Sequence, residues 1–251
     1  MGVTSNTCYN ASCQQSHMTK IMARLPRYYI KNQPQHIIQR GLDQQNIFFD
    51  DVDYQYYLDC LYAAAYNNDL KIHAYVLMPN QVNLLASPRE DKSISKTLQS
   101  LGRNYVQHFN DNYDAHGTLW EGRYRATVLD PSEYLLSCSR FIETSPVRSG
   151  LAKNPKAYQW SSYAHNALGK ADEGITEHRI YKQLGKTDKE RSQAYRDLFK
   201  TQLTAEELNT ISDATNKGWA LGNAKFIKKI EQITDRRASP LPKGRPKKTM
   251  I

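Results

Sequence analysis

Two amide side chains lie on one face of a predicted strand, where they could bind the same ligand. Gln81 and Asn83 lie two positions apart in a β-rich segment that follows the turn Pro79-Asn80. Side chains at i and i+2 of a strand point to the same face. Amide oxygens can coordinate a hard cation such as calcium or magnesium. Two neutral amides would hold it far more weakly than two imidazoles, so the pair predicts a weak metal site at most.

Basic and aromatic side chains are interleaved elsewhere in the chain. Arginine beside aromatic rings offers stacking planes to unpaired bases and fixed positive charge to phosphates. Surface charge and core aromatic rings are the alternative interpretation for any single residue. The residues that we predict to contact nucleic acid in this part of the chain are Arg40, Lys96, Arg103, Trp120, Arg123, Tyr124 and Arg125.

Hydrophobic periodicity and turn residues predict the elements that would position these side chains. The predicted strands are 35–40, 72–78, 81–86 and 124–129, and the predicted helices are 51–68, 93–109 and 130–143. The order β-α-β-β-α-β plus one further helix is that of the split βαβ, ferredoxin-like fold. We therefore predict an α+β domain whose antiparallel sheet carries helices on one face.

The chain divides into four parts by composition. Residues 1–22 are polar and aperiodic and are predicted to be disordered. Residues 23–168 hold the predicted ferredoxin-like domain. Residues 187–234 contain short helices that permit a helix-turn-helix interpretation, and residues 235–251 form a basic tail, predicted to be disordered.

The tail offers two kinds of DNA contact. Its basic residues are Lys243, Arg245, Lys247 and Lys248, around a Gly-Arg-Pro core. An extended segment of this kind could lay its arginine in a narrow A·T-rich minor groove. The favoured alternative is that it binds any phosphate backbone through counterion release.

Composition narrows the class of partner and the compartment. A net charge of +9 over 251 residues favours a polyanionic partner. The four cysteines lack Cys-x-x-Cys spacing, so we expect free thiols with no disulfide partner and no zinc site. No apolar run approaches the ~20 residues that span a bilayer, and residues 1–22 lack the apolar stretch of a secretory signal. We expect a cytoplasmic protein without a membrane partner.

Over residues 23–168 the chain resembles the REP-associated tyrosine transposases. These belong to the single-tyrosine transposases of the histidine-hydrophobe-histidine superfamily. The motifs that carry the resemblance occur in the family's order and spacing. They are Gln39-Arg40-Gly41, Ile47-Phe48-Phe49-Asp50, His73-Ala74-Tyr75-Val76-Leu77-Met78-Pro79-Asn80, Gly117-Thr118-Leu119-Trp120-Glu121-Gly122-Arg123-Tyr124, Ser145-Pro146-Val147-Arg148-Ser149-Gly150-Leu151 and Trp160-Ser161-Ser162-Tyr163.

The resemblance implies a site that this sequence does not preserve. In the family, two strand histidines hold a divalent cation, a helix tyrosine attacks the phosphate, and an asparagine one turn later helps to hold the metal. The corresponding residues here are Gln81, Asn83, Phe141 and Ser145. Because all four are substituted, we predict that no catalytic or metal-binding residue is intact and that no cofactor is needed. Mg²⁺ or Mn²⁺ would serve only a residual activity.

Two tyrosines are the remaining candidates for a displaced nucleophile. Tyr134 precedes Phe141 by seven residues on the same predicted helix face, ~10 Å away. That is too far for in-line attack without rearrangement. Tyr124 lies on the preceding predicted strand and is expected to line the core or a groove.

Three functions follow from these observations. The favoured one is a transposase-like protein that recognises hairpin or single-stranded DNA ends, such as repeated palindromes, and has lost strand cleavage. The second is an active single-tyrosine transposase with a displaced nucleophile. The third is a ferredoxin-like RNA-binding or interaction module. The resemblance implies a bacterial, nucleoid-associated protein and allows either a monomer or a homodimer.

Overall fold

The computed structural model describes residues 27–240. Four strands form one sheet in the order β2-β3-β1-β4, and every neighbouring pair is antiparallel. The strands are β1 Gln35–Arg40, β2 Leu70–Met78, β3 Gln81–Pro88 and β4 Arg125–Val128. This order is the ferredoxin-like one, so the predicted fold class is confirmed. Some predictions concern residues outside this range. They are those for the N-terminal segment 1–22, for Cys8 and Cys13, and for the basic tail residues Lys243, Arg245, Lys247 and Lys248.

Three longer helices connect or follow the strands. They are α1 Asp51–Asn67, α2 Ser93–Tyr113 and α3 Pro131–Glu143. The Asp50 carboxylate caps α1 by accepting hydrogen bonds from the backbone N–H groups of Val52 and Asp53. Asp130 caps α3 in the same way, and Pro131 suits its first turn. These caps fix the point at which each helix leaves its strand.

Six further helices complete the described chain. They are α4 Ser145–Arg148, α5 Tyr163–Leu168, α6 Arg179–Lys182, α7 Asp188–Asp197, α8 Ala205–Lys217 and α9 Ala224–Thr234. A capping box of Thr204 and Glu207 opens α8, and Asn223 caps α9. Single 3-10 turns occur at Leu42–Gln44, Pro155–Ala157 and Leu198–Lys200.

Helices α1 and α2 pack together on one face of the sheet, as predicted. The buried strand residues of this face include Ile37, Leu77, Val82 and Leu84. They meet the buried helix residues Tyr57, Leu61, Leu101 and Tyr105.

The prediction of helices on one face needs a correction, because α3 and α8 cover the opposite face. Strands β2 and β3 are apolar on both sides, and their second face carries Ala74, Val76 and Leu85. An apolar face of this size has to be buried. The residues that cover it come from α3 and α8 and include Leu135, Cys138, Ile142, Ile211 and Ala214.

Both outer strands are paired along their outer edges. The outer edge of β2 forms bridges to Ser161 and Ile175, and the Thr176 N–H donates to the Ile72 carbonyl at 2.7 Å. The outer edge of β4 contacts Leu221, whose N–H donates to the Val128 carbonyl at 2.8 Å. Irregular segments therefore cover each side of the sheet.

The described residues bear on two predictions, one about the cysteine thiols and one about membrane-spanning helices. Cys60 and Cys138 are free thiols, and Cys138 is fully buried. Among residues 27–240, no helix combines the length and the apolar character needed to cross a bilayer.

Candidate active site and nucleic-acid interface

The strand register places the two amides on the face that α3 covers. Gln81 pairs with Arg40, and Asn83 pairs with Ile38. Ile38 in turn pairs with Arg125 on β4. Cross-strand partners share a face of the sheet, so both amides and both arginines lie on one face, beneath α3 and α8.

Phe141 on α3 and Ser145 on α4 complete the group, which we call the substituted site (Gln81, Asn83, Phe141, Ser145). Phe141 is buried, and its ring meets the His36 ring edge-on with centroids 5.5 Å apart. The Ser145 hydroxyl donates to the Phe141 carbonyl at 2.9 Å. The structure thus brings together the four positions that the resemblance singled out.

His36 on β1 links the substituted site to α8. It is fully buried, with Nε2 3.3 Å from Asn83 Oδ1 and Nδ1 2.8 Å from Thr215 Oγ1. Burial, and to a smaller degree the charges of Arg148 and Arg40, lower the pKa of His36 to about 4. The Thr215 hydroxyl donates its only proton to the Ile211 carbonyl at 3.0 Å. We therefore assign the single proton of His36 to Nδ1, which donates to Thr215, and Nε2 faces the Asn83 amide as an acceptor.

Three arginines, which we call the arginine cluster (Arg40, Arg125, Arg148), surround this group. The Arg40 and Arg125 guanidinium groups donate to the side chain and the carbonyl of Asn216, at 2.9 and 3.3 Å. The Arg148 guanidinium carbon lies 4.3 Å from the centre of the Phe141 ring. Among the described residues, Glu121 is the only carboxylate within 4.0 Å of the cluster, 3.7 Å from Arg125. The face is therefore strongly positive.

A groove of about 900 Å³ opens beside the substituted site. Arg40 lines it where β1 ends and Gln81 lines it where β3 begins. Ser149 and Leu151 line it beyond α4. Gln81 is partly exposed to the groove, whereas Asn83 is buried behind it. A strand of nucleic acid in the groove would reach Gln81 and Arg40 first.

The other predicted contact residues are scattered. Lys96 and Arg103 are exposed on α2, across the sheet from the substituted site. Trp120 is buried in the core beside Tyr57 and Tyr105, so its ring is not free to stack on a base. Arg123 is exposed in the bend before β4. Of the seven residues, only Arg40 and Arg125 join the site.

Neither tyrosine candidate lies in a suitable place for attack. Tyr124 packs on the α1/α2 side of the sheet, with the Arg27 guanidinium 3.7 Å above its ring, and burial raises its pKa to about 12. Tyr134 lies in the first turn of α3, where burial and then the charges of Glu133 and Glu207 raise its pKa. Those acidic neighbours would repel a phosphate.

Glu143, at the end of α3, belongs to a buried polar network instead of the site. Its carboxyl group accepts hydrogen bonds from Ser162 (2.6 Å), Asn166 (2.8 Å) and Tyr195 (2.8 Å). Burial raises the pKa of Glu143 to about 7, against the opposing effect of these donors. The network ties α3 to α5 and α7.

A second basic surface lies on α9. Lys225, Lys228 and Lys229 are exposed at steps of three and one residues, which places them on one side of the helix. Ile230 on the other side packs with Tyr28 and Val128, next to β4. We call these three lysines the α9 basic face.

Sequence reasoning missed four residues of the site: His36, Arg148, Thr215 and Asn216. His36 alternates onto the same face as Arg40, so the strand periodicity could have revealed it. Arg148 stood within a motif but had no assigned role. Thr215 lies 179 residues from His36, and Asn216 lies 176 residues from Arg40. No local sequence pattern points to contacts between residues so far apart.

A ferredoxin-like sheet whose covered face gathers amides and arginines has the architecture of an α+β transposase domain. Residues 29–145 match the family model described as "Transposase IS200 like". These residues, a little under half of the chain, are similar to the IS200-like transposases. The predicted resemblance to transposases of this type is confirmed.

Among the similar solved structures, one has a TM-score of 0.50 and shows the same fold. A REP associated tyrosine transposase bound to a REP hairpin is similar with a TM-score of 0.50 and 15% identity, covering 62% of this chain and 93% of that one. A protein from Deinococcus radiodurans R1 assigned as a transposase has a TM-score of 0.34 and 20% identity, covering 46% and 94%. A bacterial tRNA(His) guanylyltransferase-like protein in complex with ATP has a TM-score of 0.32 and 14% identity, covering 57% and 76%. No curated protein sequence matches the chain significantly.

Proposed function

We propose that this protein binds hairpin or single-stranded DNA ends, as the REP-associated transposases do, and does not cut them. Phe141 carries the proposal. It stands at the position of the nucleophile, its ring has no oxygen, and it is buried against His36. A phenyl ring cannot form an ester with phosphate.

The charge of the site supports DNA as the ligand. The arginine cluster offers fixed cations beside an open groove, which suits a phosphate backbone. The similar transposase structure with a TM-score of 0.50 is bound to a REP hairpin, and this supports a hairpin as the form of DNA. The α9 basic face adds positive charge beyond the transposase domain.

The remaining assignments are part of the same proposal. Residues 23–168 act as the DNA-binding unit, and the basic tail, with Lys243, Arg245, Lys247 and Lys248, adds backbone contacts. Helix α8 is a poor recognition helix, because its apolar side is buried on the sheet and its exposed side carries Glu206 and Asp213. The helix-turn-helix interpretation of residues 187–234 stays a prediction.

Incubation with labelled hairpin DNA tests the loss of cleavage. With Mg²⁺ or Mn²⁺, we expect a retarded complex, no nicked strand and no adduct that survives denaturing electrophoresis. The variants Tyr134→Phe and Tyr124→Phe should behave like the wild type. A single-stranded RNA of the same sequence should compete at least about tenfold less well, since few 2′-hydroxyl contacts are expected.

A covalent adduct would refute the proposal. So would a nicked product that disappears in the double variant Gln81→Ala, Asn83→Ala, because that control isolates cleavage by this site from a contaminating nuclease. Preference for RNA would favour the alternative of an RNA-binding module.

Removing the α9 basic face should weaken DNA binding in a salt-dependent way. For Lys225→Ala, Lys228→Ala, Lys229→Ala combined, we expect about tenfold or greater loss of affinity at 0.1 M salt, with the slope of log K against log salt reduced by roughly 2 to 3. Fluorescence anisotropy over a salt series measures both quantities.

The matched control removes the same charge elsewhere. Lys170, Lys182 and Lys186 are exposed around α5 and α6, and their combined alanine variant should keep the wild-type slope. Equal losses in the two variants would show that only net charge matters and that α9 is not a contact surface.

A further inference from the structure

The substituted site does not fit the divalent cation that the family generally uses. The Ser145 hydroxyl donates to the Phe141 carbonyl at 2.9 Å and accepts from Arg148 at 2.8 Å, so its oxygen is engaged. Asn83 is buried, and Gln81 offers one neutral amide. No cluster of three or more His, Cys, Asp or Glu side chains suited to a metal occurs among residues 27–240. The arginine cluster therefore supplies positive charge at the site, and the placement of its side chains matters for binding.

Two residues in the last turn of α8 contact side chains of the site. Thr215 accepts a hydrogen bond from His36 at 2.8 Å, and the Asn216 side-chain oxygen accepts one from Arg40 at 2.9 Å. The Asn216 carbonyl accepts a third from Arg125 at 3.3 Å. Both residues lie beyond 29–145, the part of the chain that matches the family model. Helix α8 is thus an addition to that part, and its C-terminal end reaches the site.

Arg40 and Arg125 carry like charges and lie close together. They occupy diagonal positions on neighbouring strands, and burial, followed by the charge of Arg125, lowers the pKa of Arg40. Two guanidinium groups on long side chains would separate in water, because repulsion and side-chain entropy both favour other rotamers. Asn216 holds both through neutral oxygens, which leaves the two positive charges intact. The C-terminal end of a helix, where backbone carbonyls lack partners, is a favourable place for such cations.

Asn216 is itself fixed by its surroundings. Its amide nitrogen donates to the Ser212 hydroxyl at 3.2 Å, which leaves the oxygen of the amide to face Arg40. Helix α8 is anchored on the sheet by Ile211, which is fully buried, and by Ala214. A fixed acceptor restricts the arginine side chains in advance, so they lose less freedom when they bind a ligand.

We propose that Asn216 is a positioning residue for DNA binding, which holds Arg40 and Arg125 together as one unit of fixed geometry. The inference rests on the proposed function and extends it, since the DNA-binding unit then includes α8 as well as residues 23–168. Asn216 acts through the two arginines and does not itself need to touch DNA. Their remaining N–H groups stay available, because each guanidinium has five donors.

Two substitutions at Asn216 separate positioning from a merely structural role, with fluorescence anisotropy over a salt series as the measurement. Asn216→Ala removes the acceptor of Arg40 and keeps the carbonyl that Arg125 uses, so hairpin DNA should bind about 5- to 10-fold more weakly. Asn216→Asp places a carboxylate beside Arg40 and neutralises it. Binding should weaken about 10- to 30-fold, with the slope of log K against log salt reduced by about 1. The thermal midpoint of Asn216→Asp should not fall, because an ion pair replaces the hydrogen bond.

A double-mutant cycle and a matched control complete the test. In the Arg40→Gln background, Asn216→Ala should change the affinity by less than about twofold, since the side chain that it positions is gone. Asn104 is an exposed asparagine on α2, across the sheet from the site. Asn104→Asp makes the same change of charge there and should bind within about twofold of the wild type, because salt screens a distant charge.

The outcomes distinguish this inference from the proposed function. Hairpin binding that is unchanged in both Asn216 variants, or tighter in Asn216→Ala, overturns the inference and leaves the proposed function standing. Independent, additive losses in the double-mutant cycle do the same. If hairpin DNA and dodecathymidylate fail to bind, but a single-stranded RNA of the hairpin sequence binds and is weakened by Asn216→Asp, the proposed function falls and the positioning role stands. Binding of none of the three ligands overturns both.

Discussion

Replacing Glu143 by alanine should lower the free energy of unfolding at pH 5 by about 3 to 5 kcal/mol, because it leaves buried donors without an acceptor and opens a cavity. The donors are Ser162, Asn166 and Tyr195. They come from two separate parts of the chain, α5 with its N-cap and α7, which both meet the end of α3. Urea denaturation followed by circular dichroism measures the change.

Glu143→Gln is the matched control and carries a pH prediction. The folded-state pKa of about 7 lies above the ordinary value of 4.5, so the protonated carboxyl stabilises the folded state. That contribution is complete below pH 4.5 and is lost as the pH rises through 7. Glutamine resembles the protonated acid, so the two proteins should be similar at pH 5. At pH 8 the variant should be more stable by about 2 to 3 kcal/mol.

Comparing the wild type with Glu143→Gln removes from the stability difference the opposite pH dependence that two buried histidines contribute. Burial lowers the pKa of His36 and of His73 to about 4, so their contribution is present above pH 6.5 and is lost as the pH falls towards 4. It is the same in the wild type and in Glu143→Gln. A stability difference that does not change between pH 5 and pH 8 would contradict the assigned role of Glu143, as would an alanine variant within 1 kcal/mol of the wild type.

Gly41→Ala should lower the free energy of unfolding by about 2 to 3 kcal/mol through overpacking. The backbone at Gly41 is ordinary (φ −63°, ψ 148°), so the reason is space. An added Cβ would overlap the Gln45 carbonyl oxygen and lie 2.9 Å from Cγ2 of Ile47. The loop after β1 would have to move, and Arg40 with it, so DNA affinity should fall as well.

Gly102→Ala should have the opposite effect and raise the free energy of unfolding of the same domain. Gly102 lies inside α2, and its nearest neighbour for a new Cβ is Trp120 Nε1 at 3.8 Å, which is ordinary contact. Alanine in a helix interior gains about 0.5 to 1 kcal/mol over glycine. Parallel thermal and urea unfolding of both variants checks the pair. A neutral Gly41→Ala would show that the loop yields easily.

The strands and the helices that follow them could be predicted from local sequence patterns, whereas the burial of the second face of the sheet beneath α3 and α8 could not. The predicted strand 35–40 has the observed bounds of β1, and the predicted helix 130–143 begins at its capping residue Asp130. The placement of α8 on the second face of the sheet depends on contacts between distant parts of the chain. Ile211, for example, shows only that α8 has an apolar side, and the sequence does not say which surface buries it.

The site was predictable where a residue's type determined its chemistry. That the Phe141 side chain has no oxygen and cannot act as a nucleophile follows from the residue type alone. Trp120 could not be recognised as a core residue, because an aromatic ring beside arginines is compatible with stacking or with burial. The partnership of Arg40 with Asn216 spans 176 residues, and only the folded chain reveals it.

The closed flanks of the sheet limit how two copies of this chain could meet. Because β2 and β4 already have backbone partners on their outer sides, residues 27–240 offer no open row of amide groups for strand addition. A homodimer formed by these residues would therefore meet through surfaces other than the sheet edges. Under the proposed function, each subunit would then hold its DNA with its own arginines.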